Sequence, residues 1–190
     1  MYEGVILHTL THACIADINY SLSRELDQAQ ILRLADCTYI EKKHNIIIMG
    51  AAGSGKSYMA CAFGIAACQN FYTVKYIRLP DLLIELDIAR NEGSYKKLMN
   101  QYRKFKSLIL DEWMLVFLKE NKARDVLEII HTRHHKGSTM FCSQFSPAGW
   151  LLELLHNVRR GGADIILDLL MPLNQYFVYK PWDSSPRETS

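Results

Sequence analysis

The run Gly50-Ala51-Ala52-Gly53-Ser54-Gly55-Lys56-Ser57 has the residue types and spacing to hold a triphosphate. It matches G-x-x-x-x-G-K-[ST] at every fixed position. Glycines let the backbone turn tightly and bring its N–H groups against an anion. A helix opening near Lys56 adds the positive end of its dipole. In this chemistry the Lys56 ammonium reaches the β- and γ-phosphates, and the Ser57 hydroxyl ligates Mg²⁺. The expected nucleotide-binding set is Gly50, Ala51, Ala52, Gly53, Ser54, Gly55, Lys56, Ser57 and Tyr58, and the expected ligands are ATP and Mg²⁺.

A second constellation is Asp111-Glu112, directly after the apolar run Leu108-Ile109-Leu110. Asp111 is expected to hold Mg²⁺ through its water shell. Glu112 is expected to polarise the attacking water as general base. Ser143-Gln144 ends another apolar run, where the Ser143 hydroxyl is expected to orient water or sense the γ-phosphate. Lys56, Glu112 and Ser143 thus form a candidate catalytic set for ATP hydrolysis.

These residues need a scaffold, and the apolar pattern supplies one. Ile46-Ile47-Ile48-Met49 reads as a strand buried on both faces, running into the glycine-rich loop. Residues 58–68, small and apolar, read as a buried helix. Further strands are expected at 73–79, 107–110, 139–142 and 175–179. Helices are expected at 23–43 with Ser23 as cap, at 81–90, 95–105 and 121–135, and at 147–156 and 163–171. Strands alternating with helices predict an α/β fold, a five-stranded, mostly parallel sheet sandwiched by helices. Ligands in such sheets bind beyond the carboxyl ends of the strands. One whole strand lies between the phosphate-loop strand and the acidic strand. That insertion, with the glutamate beside the aspartate, resembles the hydrolytic branch of P-loop NTPases.

Composition narrows the classes. Of 190 residues 49% are hydrophobic, ample for a core, and the net charge of +2 leaves nucleic-acid contact to local patches. Lys96, Lys97, Arg103, Lys104 and Lys106 form one such patch. His131, Arg133, His134, His135 and Lys136 form another, read as a solvated or DNA-facing end rather than a metal site. No apolar run approaches the roughly eighteen residues of a membrane span. The five cysteines show no paired short spacing, as expected of reduced core thiols in a cytoplasmic protein.

With these motifs in hand, the chain resembles the IstB/DnaC-like AAA+ ATPases over residues 13–180. The resemblance is carried by residues 13–20, the phosphate loop, and Arg78-Leu79-Pro80-Asp81-Leu82-Leu83. Ile88-Ala89-Arg90, Leu110-Asp111-Glu112-Trp113 and Ser143-Gln144 complete it. It is similar above all to IstB, the helper ATPase of certain transposons. The resemblance implies an AAA+, RecA-like core that oligomerises on DNA through non-specific backbone contacts and serves a transposase. The alternatives are a replicative helicase loader and a degenerate nucleotide-binding module without useful turnover. It also implies that Asp17, Ile18 and Tyr20 lie near the adenine.

Two departures from the family pattern bear on activity. Only residues 1–12 precede the match, so the basic N-terminal region usual in the family is expected to be missing or drastically shortened. Leu169 stands where a nucleotide-contacting arginine is expected, so turnover is expected to be weak or absent. Arg159 and Arg160 are candidate substitutes, and Arg133 is a candidate finger completing a neighbour's site. The expected organisation is an arm at 1–22, the AAA+ domain at 23–182 and a flexible tail at 183–190.

Overall fold

The computed structural model of the chain describes residues 5–6, 12–21, 26–115, 118–146, 150 and 175–179. Its strands are β1 (Val5–Ile6), β2 (Asn45–Met49), β3 (Val74–Arg78), β4 (Ser107–Trp113), β5 (Ser138–Ser143) and β6 (Gln175–Tyr179). They form one sheet in the order β1-β3-β4-β5-β2-β6, and every described pairing is parallel. The five expected strands are present. The sixth, β1, lies at the edge beside β3, and a two-residue strand is too short to leave a period-2 signature in the sequence.

Parallel strands must be covered on both faces. On one face lie α1 (Gln28–Ala35), α2 (Thr38–Glu41) and α3 (Lys56–Gln69). Their core partners on the strands are Ile46, Ile48, Tyr76, Ile109, Met140 and Cys142. On the other lie α4 (Leu79–Asn91), α5 (Tyr95–Lys104) and α6 (Glu120–Arg133), against Ile47, Ile77, Leu108, Leu110 and Phe141. Alternate strand residues therefore divide cleanly between two cores. The residues of α3 from Met59 to Gly64 are all buried, and four of those six are alanine, cysteine or glycine, which lets the helix lie close on the sheet.

The helix expected over 23–43 is instead two helices. α1 is capped by Asp27, whose Oδ1 accepts from the Gln30 amide at 3.0 Å, while Ser23 lies outside the described residues. The chain breaks at Cys37, which sits in the left-handed region at φ 61°. The break lets Ile31 and Leu34 of α1 and Tyr39 and Ile40 of α2 all bury in the same core. β3 stops two residues before Pro80. Pro80 occupies the first turn of α4, where its missing N–H costs no bond, so strand passes directly into helix.

Within the segment expected as an arm, residues 12–21 run alongside α3. A 3₁₀ turn at Ile15–Asp17 places Ala13 and Ile18 in the core beside α3, where their apolar surface leaves water. On the opposite face Arg90 joins three helices. Its guanidinium lies 3.9 Å from the Tyr95 ring centroid and pairs with Asp125 of α6, which also accepts from the Tyr95 hydroxyl at 3.0 Å. No helix among the described residues is long and apolar enough to cross a membrane. The expected helices at 147–156 and 163–171 and the tail at 183–190 lie outside the described residues, Trp150 excepted.

Candidate functional site

The phosphate loop bridges the end of β2 and the start of α3. Gly53 (φ 72°) and Gly55 (φ 91°) adopt left-handed backbone, which glycine reaches without penalty, and Gly55 is the N-cap of α3. The Gly50 amide donates to the Ser143 carbonyl at 3.3 Å, tying the loop to the end of β5. Lys56 folds back over the loop, its Nζ donating to the Ala51 carbonyl at 2.8 Å. Desolvation lowers its proton affinity, and the nearby Cys142 and Asp111 partly restore it. Ser57 and Tyr58 are half-buried in the first turn of α3.

The acids reach the same end of the sheet through strand register. Met49 pairs with Ser143 and Ser143 with Trp113, so β2 and β4 finish side by side across β5. Asp111 is only 3% exposed, and both its oxygens accept hydrogen bonds. The Tyr76 hydroxyl donates to Oδ2 at 2.6 Å, and the Glu112 amide donates to Oδ1 at 2.8 Å. Burial and the adjacent Asp111 push the Tyr76 phenol far above its usual range, so it stays a donor at neutral pH.

Glu112 (φ 54°) and Met114 (φ 57°) are both left-handed, and the β4–β5 register shifts between Leu110 and Trp113. Such backbone costs about 1–3 kcal/mol per residue and clusters where side chains must be aimed. Here it turns Glu112 out of the sheet, half-exposed. Its Oε1 lies 3.7 Å from Nη1 of Arg78, which also forms a forked pair with Asp81 at 2.8 and 3.0 Å. Tyr76 and Arg78 belong to β3 and were missed as site residues in the sequence. Only the β3–β4 register, which sets Arg78 opposite Asp111, shows their reach; strand alternation then puts Tyr76 on the same face as Arg78.

Asp17, Ile18 and Tyr20 lie beside α3. Asp17 is exposed, Ile18 is buried and Tyr20 is half-buried. The neighbouring Cys14 amide donates to the Tyr58 hydroxyl at 3.2 Å, anchoring this segment to the turn that follows the phosphate loop.

Two expected catalytic residues serve the core instead. Ser143 Oγ donates to the Trp113 carbonyl at 2.9 Å and accepts from the Phe145 amide and Trp150 Nε1. A hydroxyl has one proton and two lone pairs, so none remains for water or phosphate. Arg133 is 1% exposed. It donates to the carbonyls of Tyr102, Phe105 and Ser138 and to Thr139 Oγ1, closing the base of α6 rather than reaching a neighbour. Gly137 makes room for it, since a Cβ there would meet Arg133 Nη2 at 2.9 Å and the Phe105 carbonyl at 3.0 Å. Arg159, Arg160 and Leu169 lie outside the described residues.

The residues present fit a nucleotide with Mg²⁺. Loop amides and an ammonium stand at one side, and a carboxylate with one lone pair left per oxygen stands at the other. No group of three or more His, Cys, Asp or Glu side chains gathers among the described residues. A divalent ion held by Ser57 and Asp111 would therefore take most of its oxygens from phosphate and water, as Mg²⁺ does.

Residues 6–171 match the family model described as IstB-like ATP binding protein. The ATP-binding protein of insertion sequence IS1162 from Pseudomonas fluorescens is 40% identical over 132 residues, 70% of this chain and 57% of that relative. The insertion sequence ATP-binding protein y4pL from Sinorhizobium fredii is 37% identical over 82% of this chain and 62% of its own length. The chain thus spans about 57–62% of these relatives. Among solved structures, the DnaC helicase loader superposes with TM-score 0.68 at 17% identity, over 88% of this chain and 97% of that one. The replication initiator DnaA bound to AMPPCP and single-stranded DNA gives 0.71 at 16% identity, over 89% of this chain and 50% of its own. These likenesses identify the fold as the AAA+ P-loop architecture. The chain belongs to the IstB-like ATP-binding protein family.

Proposed function

We propose that this chain hydrolyses ATP as the DNA-acting helper of an insertion-sequence transposase in the cytoplasm, working as a homo-oligomer. The observation that supports it most is the approach of two chemistries at the carboxyl ends of the central strands. β2, which runs into the loop, and β4, which carries Asp111, end at the same level on either side of β5. The loop amides and Lys56 bind and orient the phosphates, and Ser57 and Asp111 hold Mg²⁺. Bound there, Mg²⁺ neutralises phosphate charge. Glu112, aimed out of the sheet by its left-handed backbone, takes the proton of the attacking water. Relatives named for insertion sequences favour a transposase over a replicative helicase as partner.

Lys56→Ala should lower ATP affinity by at least about a hundredfold by calorimetry, since the substitution removes a charged hydrogen-bond donor to phosphate. Its fold should persist, because the ammonium supplies no core packing. Glu112→Gln should retain ATP binding and lose phosphate release by about two to four orders of magnitude, the share usual for a general base. A robust rate in that variant removes Glu112 from the mechanism.

A second reading, nucleotide binding without useful turnover, draws on the contact of Glu112 with Arg78, which engages the base. Phosphate release by the unaltered chain, with and without DNA, separates the two.

A further inference from the structure

We propose that Tyr76 is a positioning residue for the metal-binding function of Asp111, setting how strongly Mg²⁺ tightens nucleotide binding. The inference rests on the functional reading above and concerns a residue outside both the phosphate loop and the acid pair.

Tyr76 and Asp111 lie on adjacent parallel strands, two register steps apart, facing α3 and the loop. The Tyr76 ring packs in the core at 8% exposure, which fixes where its hydroxyl points. The 2.6 Å contact to Oδ2 has the length of a hydroxyl donating to a carboxylate. The Glu112 amide fixes the other oxygen at 2.8 Å. A carboxylate held at one oxygen rotates about its Cβ–Cγ bond, and held at both it does not. Two donors on two oxygens leave one lone pair each, directed outward. Such preset acceptors order a metal's water shell without first losing rotational freedom, as second-shell partners do at other metal sites. The Glu112 donor is a backbone amide, which a side-chain substitution leaves in place. Tyr76 is therefore the one of the two donors that a side-chain substitution can remove.

The test is nucleotide affinity by calorimetry with Mg²⁺ and with EDTA, the ratio of the two being the Mg²⁺ enhancement. Tyr76→Phe keeps the ring and removes the donor, and Tyr76→Met takes its place if the phenylalanine variant does not fold. We expect affinity in EDTA to stay within about twofold and the enhancement to fall by about tenfold, the usual weight of a hydrogen bond to a charged group. In an Asp111→Asn background the same change should alter the enhancement no further, because Tyr76 acts only through that carboxylate. An undiminished enhancement in Tyr76→Phe, or an equal drop in the Asp111→Asn background, overturns the assignment. Absence of ATP binding by the unaltered chain both with Mg²⁺ and with EDTA would instead overturn the nucleotide site itself, so the two failures are distinguishable.

Discussion

Arg133 and Ser143 illustrate how a residue type can point to chemistry while its contacts point elsewhere. An arginine near a helix end suits a finger, and a serine at a strand end suits a sensor. In the fold the polar atoms of each are engaged by internal partners. Burial pushes the Arg133 guanidinium down to about 10, still charged at neutral pH, so its desolvation must be offset by the carbonyls it binds. Arg133→Met would leave the Tyr102, Phe105 and Ser138 carbonyls without those donors. The expected loss is on the order of 3 kcal/mol, since each buried unsatisfied group costs about 1–3 and removal of the buried charge gives part back. For a chain of this size that lowers Tm by roughly 6–12 °C. The folded variant should keep its ATP affinity and turnover. A lost rate with unchanged Tm would restore Arg133 as a finger.

Elements were legible where their signal is local. The phosphate loop, the buried strands β2 and β4 and the apolar helix α3 follow from short runs of residue types, and the structure places them as expected. Features set by tertiary contact were not legible. The break at Cys37 serves the shared burial of α1 and α2, and β1 exists only through its pairing with β3. The reach of Tyr76 and Arg78 to the acids needs the β3–β4 register, which no single run encodes. α5 is legible in both senses. Lys96, Lys97, Arg103 and Lys104 lie exposed on a helix that carries no acidic residue, while Met99 and Tyr102 bury its other side. This face is the proposed DNA contact. Changing Lys96, Lys97 and Lys104 together to alanine should weaken duplex binding at every sequence tested. It should also reduce the slope of log affinity against log salt by about two to three, near 0.9 for each phosphate no longer neutralised. An unchanged slope would move the DNA contact off α5.

At the scale of the molecule, the two cores meet at the sheet, and the candidate nucleotide site sits at the carboxyl ends of its central strands. Cys61 and Cys142 are buried in the α3 core, and the site's Lys56 and Asp111 both act on Cys142. Burial pushes the Cys61 thiol up to about 12 and Cys142 well above its ordinary value, so neither is a nucleophile in the closed fold. Alkylation must wait for the core to open, whereas the exposed Cys14 is accessible at once. Opening that separates α3 from β5 also dismantles the loop, whose Gly50 amide is bonded to the Ser143 carbonyl. A ligand that binds only the closed form reduces the open population by the factor 1 + [L]/Kd. ATP at about a hundred times its Kd should therefore slow iodoacetamide labelling of Cys61 and Cys142 by about a hundredfold, read by peptide mass spectrometry. Lys56→Ala should abolish the protection at the same ATP concentration. Equal labelling rates with and without ATP would mean that the core opens while the phosphate loop stays formed, and that the site and the α3 core are separate cooperative units.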